Sequence, residues 1–196
     1  PLMIVPVKPL AVDDLDHVDV YSCFPSAVQV AAREIGLPVG DPARPLTVTG
    51  GLTFAGGPWN NYVMHSIATM VERLREKPGA RGLITANGGY LTKHSFGVYS
   101  TTAPTRDFRW EDVQDTVDRE PTRTALVQWD GVGSVESWTT PYDRDGNPEK
   151  AFLAVRTPDG SRTLALIDDP DQAAYTVAED IAGAAVRVHP DGRASL

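Results

Sequence analysis

The sequence predicts an α/β fold in two parts: a layered β-α-β-α-β-β sheet over residues 1–104 and a small closed β-barrel domain over residues 105–196. Strand and helix signals alternate through the first part, whereas the second carries short strand-like runs separated by turns. Charge divides at the same place. The first part holds 8 Lys/Arg and 8 Asp/Glu, while the second holds 10 and 18 and carries the whole net charge of −8.

The first part begins with a strand followed by a helix. A strand at residues 17–21 leads into a helix at 25–36, which has Pro25 in its first turn and Gly36 at its end. Residues 46–49, Leu-Thr-Val-Thr, are β-branched or apolar and predict a short buried strand. The helix should pack through a stripe of small apolar side chains: Val28, Ala31, Ala32 and Ile35.

A longer helix is predicted at residues 60–76, with Asn60 or Asn61 as its N-cap. Strands at 81–86 and 95–100 complete the sheet. Apolar residues recur along the helix at the spacing of one face. This face comprises Val63, Ile67, Met70, Val71 and Leu74.

Four glycines lie between the strand at 46–49 and the long helix. Glycine permits positive φ and close approach of the backbone to a ligand, and a loop that enters a helix presents free N–H groups. The loop is therefore a candidate nest for an anion or a polarised carbonyl oxygen. The alternative is a tight strand-to-helix turn with no ligand. The candidate binding residues are Gly50, Gly51, Gly56, Gly57 and Asn60.

The second part reads as a small β domain. A short helix is expected at Trp110–Asp118, and a second helix at Asp171–Asp180 precedes the last strand. Five strands with a helix late in the order are typical of an OB-type barrel. The strand-like runs are Thr124–Trp129, Val135–Thr140, Ala151–Arg156, Thr163–Ile167 and Ala185–His189.

Three blocks of the first part resemble signature blocks of the thiolase superfamily, in family order. Residues 50–58 are similar to the Gly-Gly... Gly-His-Pro block, with Gly57 at the position of the family's catalytic histidine. Residues 21–24, Tyr-Ser-Cys-Phe, resemble the Asn-Glu-Ala-Phe block of thiolases and the His-Asp-Cys-Phe block of sterol-carrier-type thiolases. Residues 82–89 occupy the place of the Cys-x-Gly-Gly block, and no register brings a cysteine there.

The resemblance implies the second of the two similar halves of a thiolase, which is an acyl-CoA-handling fold. The family's nucleophilic cysteine belongs to the first half, so the chain looks like the C-terminal portion of a longer protein. In the intact fold the helix at 60–76 lies between the halves, and its apolar stripe is expected to be exposed unless a partner chain or a second copy covers it. Residues 134–140, 151–154 and 181–188 also resemble the additional C-terminal domain of a group of thiolase-like proteins.

Thiolase chemistry needs a nucleophilic thiolate, an acid/base group and donors around the thioester oxygen. The resemblance implies that Gly57 removes the imidazole and that the absent cysteine removes the acid/base group, so standard thiolase activity is not expected. Tyr21, Tyr90 and His94 are the candidate catalytic residues, because phenols can polarise a carbonyl and imidazoles transfer protons. The alternative for Tyr90 and His94 is a position on the hairpin surface, and Cys23 could equally be a small apolar core residue.

Composition limits the other functions. No apolar run is long enough to span a membrane, and the single cysteine cannot form an internal disulfide, which fits the cytoplasm. An acidic domain has the wrong sign for nucleic-acid phosphates, so Trp129, Trp138 and Tyr142 are expected in the core or on a sheet face instead of stacking on bases. The histidines have no companions at metal-ligand spacing, so no metal site is expected.

Three functions remain open. The first is a thiolase-like protein of lipid or acyl metabolism that binds CoA or acyl-CoA, without a tightly bound cofactor and without standard thiolase activity. The second is an acyltransferase or a carbon–carbon lyase of the retro-aldol type, acting on a β-hydroxyacyl-CoA through Tyr21, Tyr90 or His94. The third is a non-catalytic module that recruits a partner chain through the long helix and the acidic domain.

Overall fold

The computed structural model describes residues 2–3, 10–104, 107–108 and 110–196. The chain forms two compact units, Pro1–Glu120 (unit 1) and Pro121–Leu196 (unit 2). The sequence prediction places the domain boundary at residue 104; in the structure, Glu111–Asp112 pairs with Leu2–Met3 and so belongs to the sheet of unit 1.

Unit 1 contains a five-stranded sheet in the order β2-β3-β4-β1-β5. The strands are β1 (Leu2–Met3), β2 (His17–Asp19), β3 (Arg81–Gly88), β4 (Lys93–Ser100) and β5 (Glu111–Asp112). β3 and β4 form an antiparallel hairpin, whereas β2 runs parallel to β3 and β1 runs parallel to β4. The strands predicted at 17–21, 81–86 and 95–100 are confirmed, with small shifts at their ends.

The two longer helices of unit 1 begin and end close to the predicted residues, and a third is short. They are α1 (Pro25–Ile35), α2 (Tyr62–Glu76) and the short α3 (Gln114–Val117), with 3-10 turns at Val12–Asp14 and Trp59–Asn61. α1 ends because Gly36 adopts the left-handed conformation, with φ 85°, and its N–H closes the last turn on Ala32. The helix predicted at 110–118 is reduced to α3.

α2 packs its apolar residues against the sheet. Met70 and Leu74 are buried with Ala80 and Ile84, and Val63 and Ile67 pack at the edge of this cluster. The expectation that the apolar stripe of α2 would be exposed is therefore wrong, because the β3–β4 hairpin already covers it.

The N-cap prediction for α2 is confirmed in position and wrong in mechanism. Asn61 is the N-cap residue, but its side chain makes no cap hydrogen bond. Its amide nitrogen lies 3.2 Å from Nε2 of His65 instead. Asn60 lies in the 3-10 turn before the helix.

The strand predicted at 46–49 does not form. The carbonyl of Leu46 accepts the N–H of Val20 at 2.8 Å, as a neighbouring strand would, but the N–H of Val48 donates to the Asp19 carboxylate at 3.0 Å. A side-chain acceptor thus takes the place of the next ladder carbonyl. Hydrogen bonding to Asp19 overrides the β propensity of this segment.

Unit 2 contains a six-stranded sheet in the order β11-β10-β7-β8-β9-β6. The strands are β6 (Ala125–Leu126), β7 (Gly131–Thr139), β8 (Ala151–Arg156), β9 (Arg162–Ile167), β10 (Ala185–Val188) and β11 (Ala194–Ser195). The helix α4 (Pro170–Ala178) connects β9 to β10. Beyond the ladder, the N–H of Leu166 donates to the carbonyl of Gly192 at 2.9 Å, so the chain just before β11 reaches back to β9.

Most of the predicted elements of unit 2 are confirmed. The run predicted at 124–129 shortens to β6, and β11 was not predicted because two residues carry no periodic signal. The core consists of one apolar cluster from alternating strand positions, to which Trp129 and Trp138 pack as expected. Tyr142 lies outside this core and is exposed. The buried apolar residues of the core include Val135, Leu153, Val155, Ile167, Val186 and Val188.

Candidate functional site

The three sequence blocks meet at the residues that lead into α1. The N–H of Leu52 in the glycine loop donates to Oγ of Ser22 at 3.0 Å. The side-chain amide of Asn87, near the end of β3, lies 3.4 Å from Sγ of Cys23. Leu52 follows Ser22 by 30 residues and Asn87 follows Cys23 by 64 residues, so two distant segments contact two adjacent side chains. We call this place the Ser22–Cys23 site.

The glycines of the loop have the conformation that the sequence predicts for them. Gly50, Gly51, Gly56 and Gly57 have φ of 91°, 86°, 75° and 59°. A Cβ on Gly51 would lie 2.8 Å from Oγ of Ser22, so this position requires glycine for space as well as for conformation. A Cβ on Gly56 or Gly57 would meet no atom within 4 Å. The second pair of glycines therefore borders open space.

Three of the four glycine N–H groups are used inside the loop. Those of Gly50 and Gly51 donate to Oγ1 of Thr47 and of Thr49, each at 3.0 Å, and that of Gly57 donates to the carbonyl of Leu52 at 3.0 Å. Within the described residues, the N–H of Gly56 makes no hydrogen bond. A ligand oxygen that binds this loop would therefore find Gly56 as its glycine donor, and the other three glycines shape the turn.

A buried carboxylate lies next to the segment that leads into the glycine loop. Asp19, at the end of β2, is 0% exposed and accepts the hydroxyls of Tyr62 at 2.9 Å and Ser66 at 2.6 Å. Its other oxygen accepts Oγ1 of Thr47 at 2.9 Å as well as the N–H of Val48. Both oxygens of this buried side chain therefore have hydrogen-bond donors, as buried polar groups in folded proteins usually do.

The Asp19 network continues into the glycine loop. Thr47 and Thr49, whose hydroxyls approach Asp19 at 2.9 and 3.4 Å, accept the N–H groups of Gly50 and Gly51. One relay of hydrogen bonds therefore runs from the carboxylate through two threonines to the backbone of the loop. Asp19 holds the first two glycines in place, although it does not touch the open side of the site.

The phenols of the site remain protonated near neutral pH. Burial raises the pKa of Tyr21, and the nearby Cys23 adds to this shift. Burial is also the main cause of the raised pKa of Tyr62, which packs edge to face against Tyr21 with ring centroids 5.4 Å apart. A phenol with a raised pKa is a hydrogen-bond donor and a poor base. Tyr21 can thus polarise a carbonyl oxygen but is unsuited to abstracting a proton.

The other two candidate catalytic residues occupy different positions in the β3–β4 hairpin. His94 is the cross-strand partner of Asn87 and is half-buried, so the two side chains share a face next to Cys23. Nε2 of His94 lies 3.1 Å from the carbonyl of Leu91, and its ring stacks on Phe96. Tyr90 lies in the hairpin turn and is 90% exposed. It takes no part in the contacts that join the three blocks.

An apolar surface flanks the glycine loop. Phe54 and Trp59 are 82% and 90% exposed, and Trp59 has a positive φ of 51°, which is unfavourable for a residue with a side chain. A groove of about 450 Å³ lies between the loop and α2, bordered by Ala55, His65 and Ala68. Large exposed apolar side chains that lie together are a common feature of binding surfaces.

Sequence reasoning missed Asp19 and Asn87. A lone acid between two valines in a predicted strand, Val18-Asp19-Val20, is the signal that could have identified Asp19, because a buried carboxylate needs several donors. Asn87 has no such signal. Its Oδ1 is buried and finds no donor among the described residues, which makes it available to a donor on a ligand.

Two absences can be stated for the described ranges. They contain no group of three His, Cys, Asp or Glu side chains arranged to hold a metal ion. No helix in this part of the chain has the length and apolar character to cross a bilayer.

Comparison with protein families agrees with the resemblance found in the sequence. Residues 112–193 match the family model described as the thiolase-like protein type 1 additional C-terminal domain. The present chain is thus thiolase-like and carries an additional C-terminal domain.

A solved structure extends this result to the first part of the chain. The chain is similar to a monomeric SCP2-thiolase like protein type 1 from Mycobacterium smegmatis, with 38% sequence identity and a TM-score of 0.85. The match covers 95% of this chain and 42% of that chain, so the present chain spans less than half of the relative's length. A search of curated proteins found no match.

Proposed function

We propose that this chain is the C-terminal portion of a thiolase-like protein that binds CoA or acyl-CoA thioesters in cytoplasmic lipid or acyl metabolism, with standard thiolase activity lost. The convergence of the three blocks at the Ser22–Cys23 site is the observation that supports it. If only the glycine loop resembled thiolases, the resemblance would be explained equally well by a tight turn that binds no ligand.

The chemistry of the site agrees with binding without thiolysis. Gly57 carries no imidazole, and Asn87 provides an amide where an acid/base group would be needed. Tyr21 and the N–H of Gly56 are donors suited to a thioester oxygen. The site therefore keeps groups that polarise a thioester and lacks two of the groups that act on it.

Isothermal titration of the full-length protein with CoA and acetyl-CoA tests the proposal. We expect saturable binding of both ligands and tighter binding of acetyl-CoA, because only the thioester presents a carbonyl oxygen to the loop. Absence of binding by either ligand contradicts the proposal.

The chain offers a matched pair of variants for this titration. Gly56→Val and Gly40→Val both place a side chain at positive φ, 75° and 81°, and neither Cβ would meet an atom within 4 Å. Both should strain the backbone equally, but only Gly56→Val should weaken acetyl-CoA binding, by roughly tenfold or more. Equal affinity of the two variants would place the ligand elsewhere.

A carbon–carbon lyase is a second candidate, because His94 shares a face with Asn87 next to Cys23. A retro-aldol cleavage needs a base at the β-hydroxyl and a donor at the thioester carbonyl. His94 is the candidate base and Tyr21 the donor. Turnover of β-hydroxyacyl-CoA substrates should fall at least a hundredfold in His94→Gln and Tyr21→Phe. Tyr90→Phe tests the third sequence candidate, and unchanged turnover in all three variants contradicts this mechanism.

A partner-binding role rests on the apolar surface that flanks the glycine loop. We propose that the N-terminal thiolase half, which this chain does not contain, covers Phe54 and Trp59 together with Met64, an exposed residue in the first turn of α2. Co-expression with that half should give a complex that Trp59→Ser weakens, whereas Tyr175→Ser, at an exposed aromatic of unit 2, should not. Assembly that is insensitive to Trp59→Ser argues against this contact.

We also propose that unit 2 is an OB-type barrel. The chain order of five strands, β7, β8, β9, β10 and β11, with α4 between β9 and β10, agrees with that fold. The Leu166–Gly192 hydrogen bond also brings the residues before β11 to β9. An experimental structure in which Gly192, just before β11, lies away from Leu166 of β9 would contradict this assignment.

A further inference from the structure

Unit 2 contains a groove that lies outside the Ser22–Cys23 site. It has a volume of about 520 Å³, within the usual range for small-molecule sites. The start of β7 and the turn between β8 and β9 form its walls. Arg123, Ser134, Arg156 and Gly160 are among the residues that line it.

Positive charge gathers at this groove in an otherwise acidic unit. Arg156 pairs with Ser134 on one side and with Arg162 on the other, and Arg123 precedes β6, the neighbour of β9. Unit 2 as a whole holds seven Lys/Arg and twelve Asp/Glu. Three guanidinium groups in one place therefore oppose the overall charge of the unit.

Only one of the three arginines is neutralised. Arg162 forms an ion pair with Glu136, and this contact lowers the pKa of Glu136, with smaller contributions from the charges of Arg123 and Arg156. Within the described residues, no carboxylate lies within 4.0 Å of the Arg123 or Arg156 guanidinium. The nearby Asp159 is occupied by Thr157 and Ser161.

Arg123 is already oriented toward the groove. Its Nη1 donates to the carbonyl of Gly160 at 3.0 Å, which fixes the guanidinium and leaves its other donors free. The Ser134 hydroxyl makes no hydrogen bond to another described residue. Two uncompensated guanidinium groups and a hydroxyl are donors that match a dianionic oxyanion.

We propose that this groove binds the phosphate of a small phosphomonoester, held between Arg123 and Arg156 with Ser134 as a further donor. A phosphomonoester carries close to two negative charges near neutral pH, equal to the charge of the two free guanidinium groups. A phosphodiester or a carboxylate carries one. The preference for a monoester therefore distinguishes this site from general attraction to anions and from nucleic-acid binding.

NMR titration of the full chain with methyl phosphate and with dimethyl phosphate tests the proposal. We expect saturable shifts of the Gly133 and Gly160 amide signals with methyl phosphate, and binding at least tenfold weaker with dimethyl phosphate. Equal binding of the two esters, or no saturable shift with methyl phosphate, overturns the proposal.

Three variants with the same change in net charge complete the test. Arg123→Gln and Arg156→Gln should each weaken methyl phosphate binding roughly ten- to a hundredfold. Arg144→Gln, in the exposed loop between β7 and β8, should change it less than twofold. Dispersed spectra of all three variants verify folding. Equal loss in Arg144→Gln would mean non-specific attraction and overturns the assignment.

Discussion

The two units of this chain have interiors of different chemistry. Unit 2 encloses a single apolar cluster to which alternate residues of its strands contribute. Unit 1 divides its apolar residues into two clusters and buries a carboxylate, Asp19, with hydroxyl and N–H donors around it. The unit that carries the Ser22–Cys23 site is thus the one in which a carboxylate is buried among the described residues.

This difference separates the interactions that position a loop, in unit 1, from those that stabilise a β-sheet domain, in unit 2. Apolar contacts are non-directional, so an apolar core stabilises unit 2 without specifying the exact path of its loops. Hydrogen bonds to Asp19 are directional, and they reach Gly50 and Gly51 through Thr47 and Thr49. We therefore expect that removing the buried polar side chain of Asp19 in unit 1, and truncating buried apolar side chains in unit 2, will cost the most unfolding free energy.

The largest effect is expected from removing the buried carboxylate. Asp19→Ala leaves the hydroxyls of Tyr62 and Ser66 and the N–H of Val48 without their acceptor, which should cost roughly 3–4 kcal/mol of unfolding free energy. Urea denaturation measures the loss. Hydrogen exchange should accelerate at residues 46–58 and in α2, and remain unchanged in unit 2.

The control for Asp19 is Asp13, a highly exposed carboxylate that pairs with Arg44 at the surface. Asp13→Ala should cost less than about 1 kcal/mol. If the two substitutions cost the same, the contrast between the interiors of the two units is wrong.

A truncation in unit 2 comes next in size. Leu153 is buried in the apolar cluster, and Leu153→Ala should cost about 2–4 kcal/mol because a cavity replaces packed methyl groups. Leu164→Ala removes the same atoms from the outer face of β9, where Leu164 is 74% exposed, and should cost less than about 1 kcal/mol. Denaturant midpoints and exchange rates measure both, and equal losses would mean that the core has been assigned to the wrong face.

Substitutions at two glycines of the loop distinguish the cost of backbone strain from the cost of a steric clash. Gly51→Ala and Gly57→Ala both force alanine to positive φ, which costs about 1 kcal/mol. Gly51→Ala should cost about 1 kcal/mol more, because its Cβ would lie 2.8 Å from Oγ of Ser22. Thermal denaturation compares them, and a larger loss for Gly57→Ala contradicts the observed packing of the loop.

The smallest effect concerns charge at the surface of unit 2. The Arg162 guanidinium holds the pKa of Glu136 below its ordinary value of 4.5. This pair therefore stabilises the folded protein above that value, and its contribution is lost as the pH falls through the lowered pKa. Glu136→Gln should cost less than about 1 kcal/mol at pH 7, since the pair is partly exposed, and a smaller amount at pH 3.

Urea denaturation at both pH values, with the exposed Glu179→Gln as the surface control, isolates this contribution. The difference in unfolding free energy between pH 7 and pH 3 should shrink more for Glu136→Gln than for Glu179→Gln. A cost for Glu136→Gln that is as large at pH 3 as at pH 7 would show that packing, and not charge, is responsible.

Local patterns predicted most of the elements of both units. The Pro25 and Gly36 signals placed both ends of α1, and alternation placed β8 at its observed residues. The prediction failed at residues 46–49, where Asp19 replaces a ladder acceptor, and at β11, whose two residues form a strand only by pairing with β10. At residues 46–49 a partner 29 residues away in the chain decides the local conformation, and at β11 the pairing with another strand does so.

The candidate site divides in the same way between sequence and tertiary structure. The sequence by itself determined that the four loop glycines are free to adopt positive φ, that no histidine stands at Gly57 and that no cysteine lies in residues 82–89, because these follow from residue identity. Tertiary structure decided that α2 packs its apolar stripe inside unit 1, that the N–H groups of three of the glycines are already bonded, and that Asn87 meets Cys23. These features depend on which hydrogen bonds and contacts form between distant segments, and residue type alone does not specify those partners.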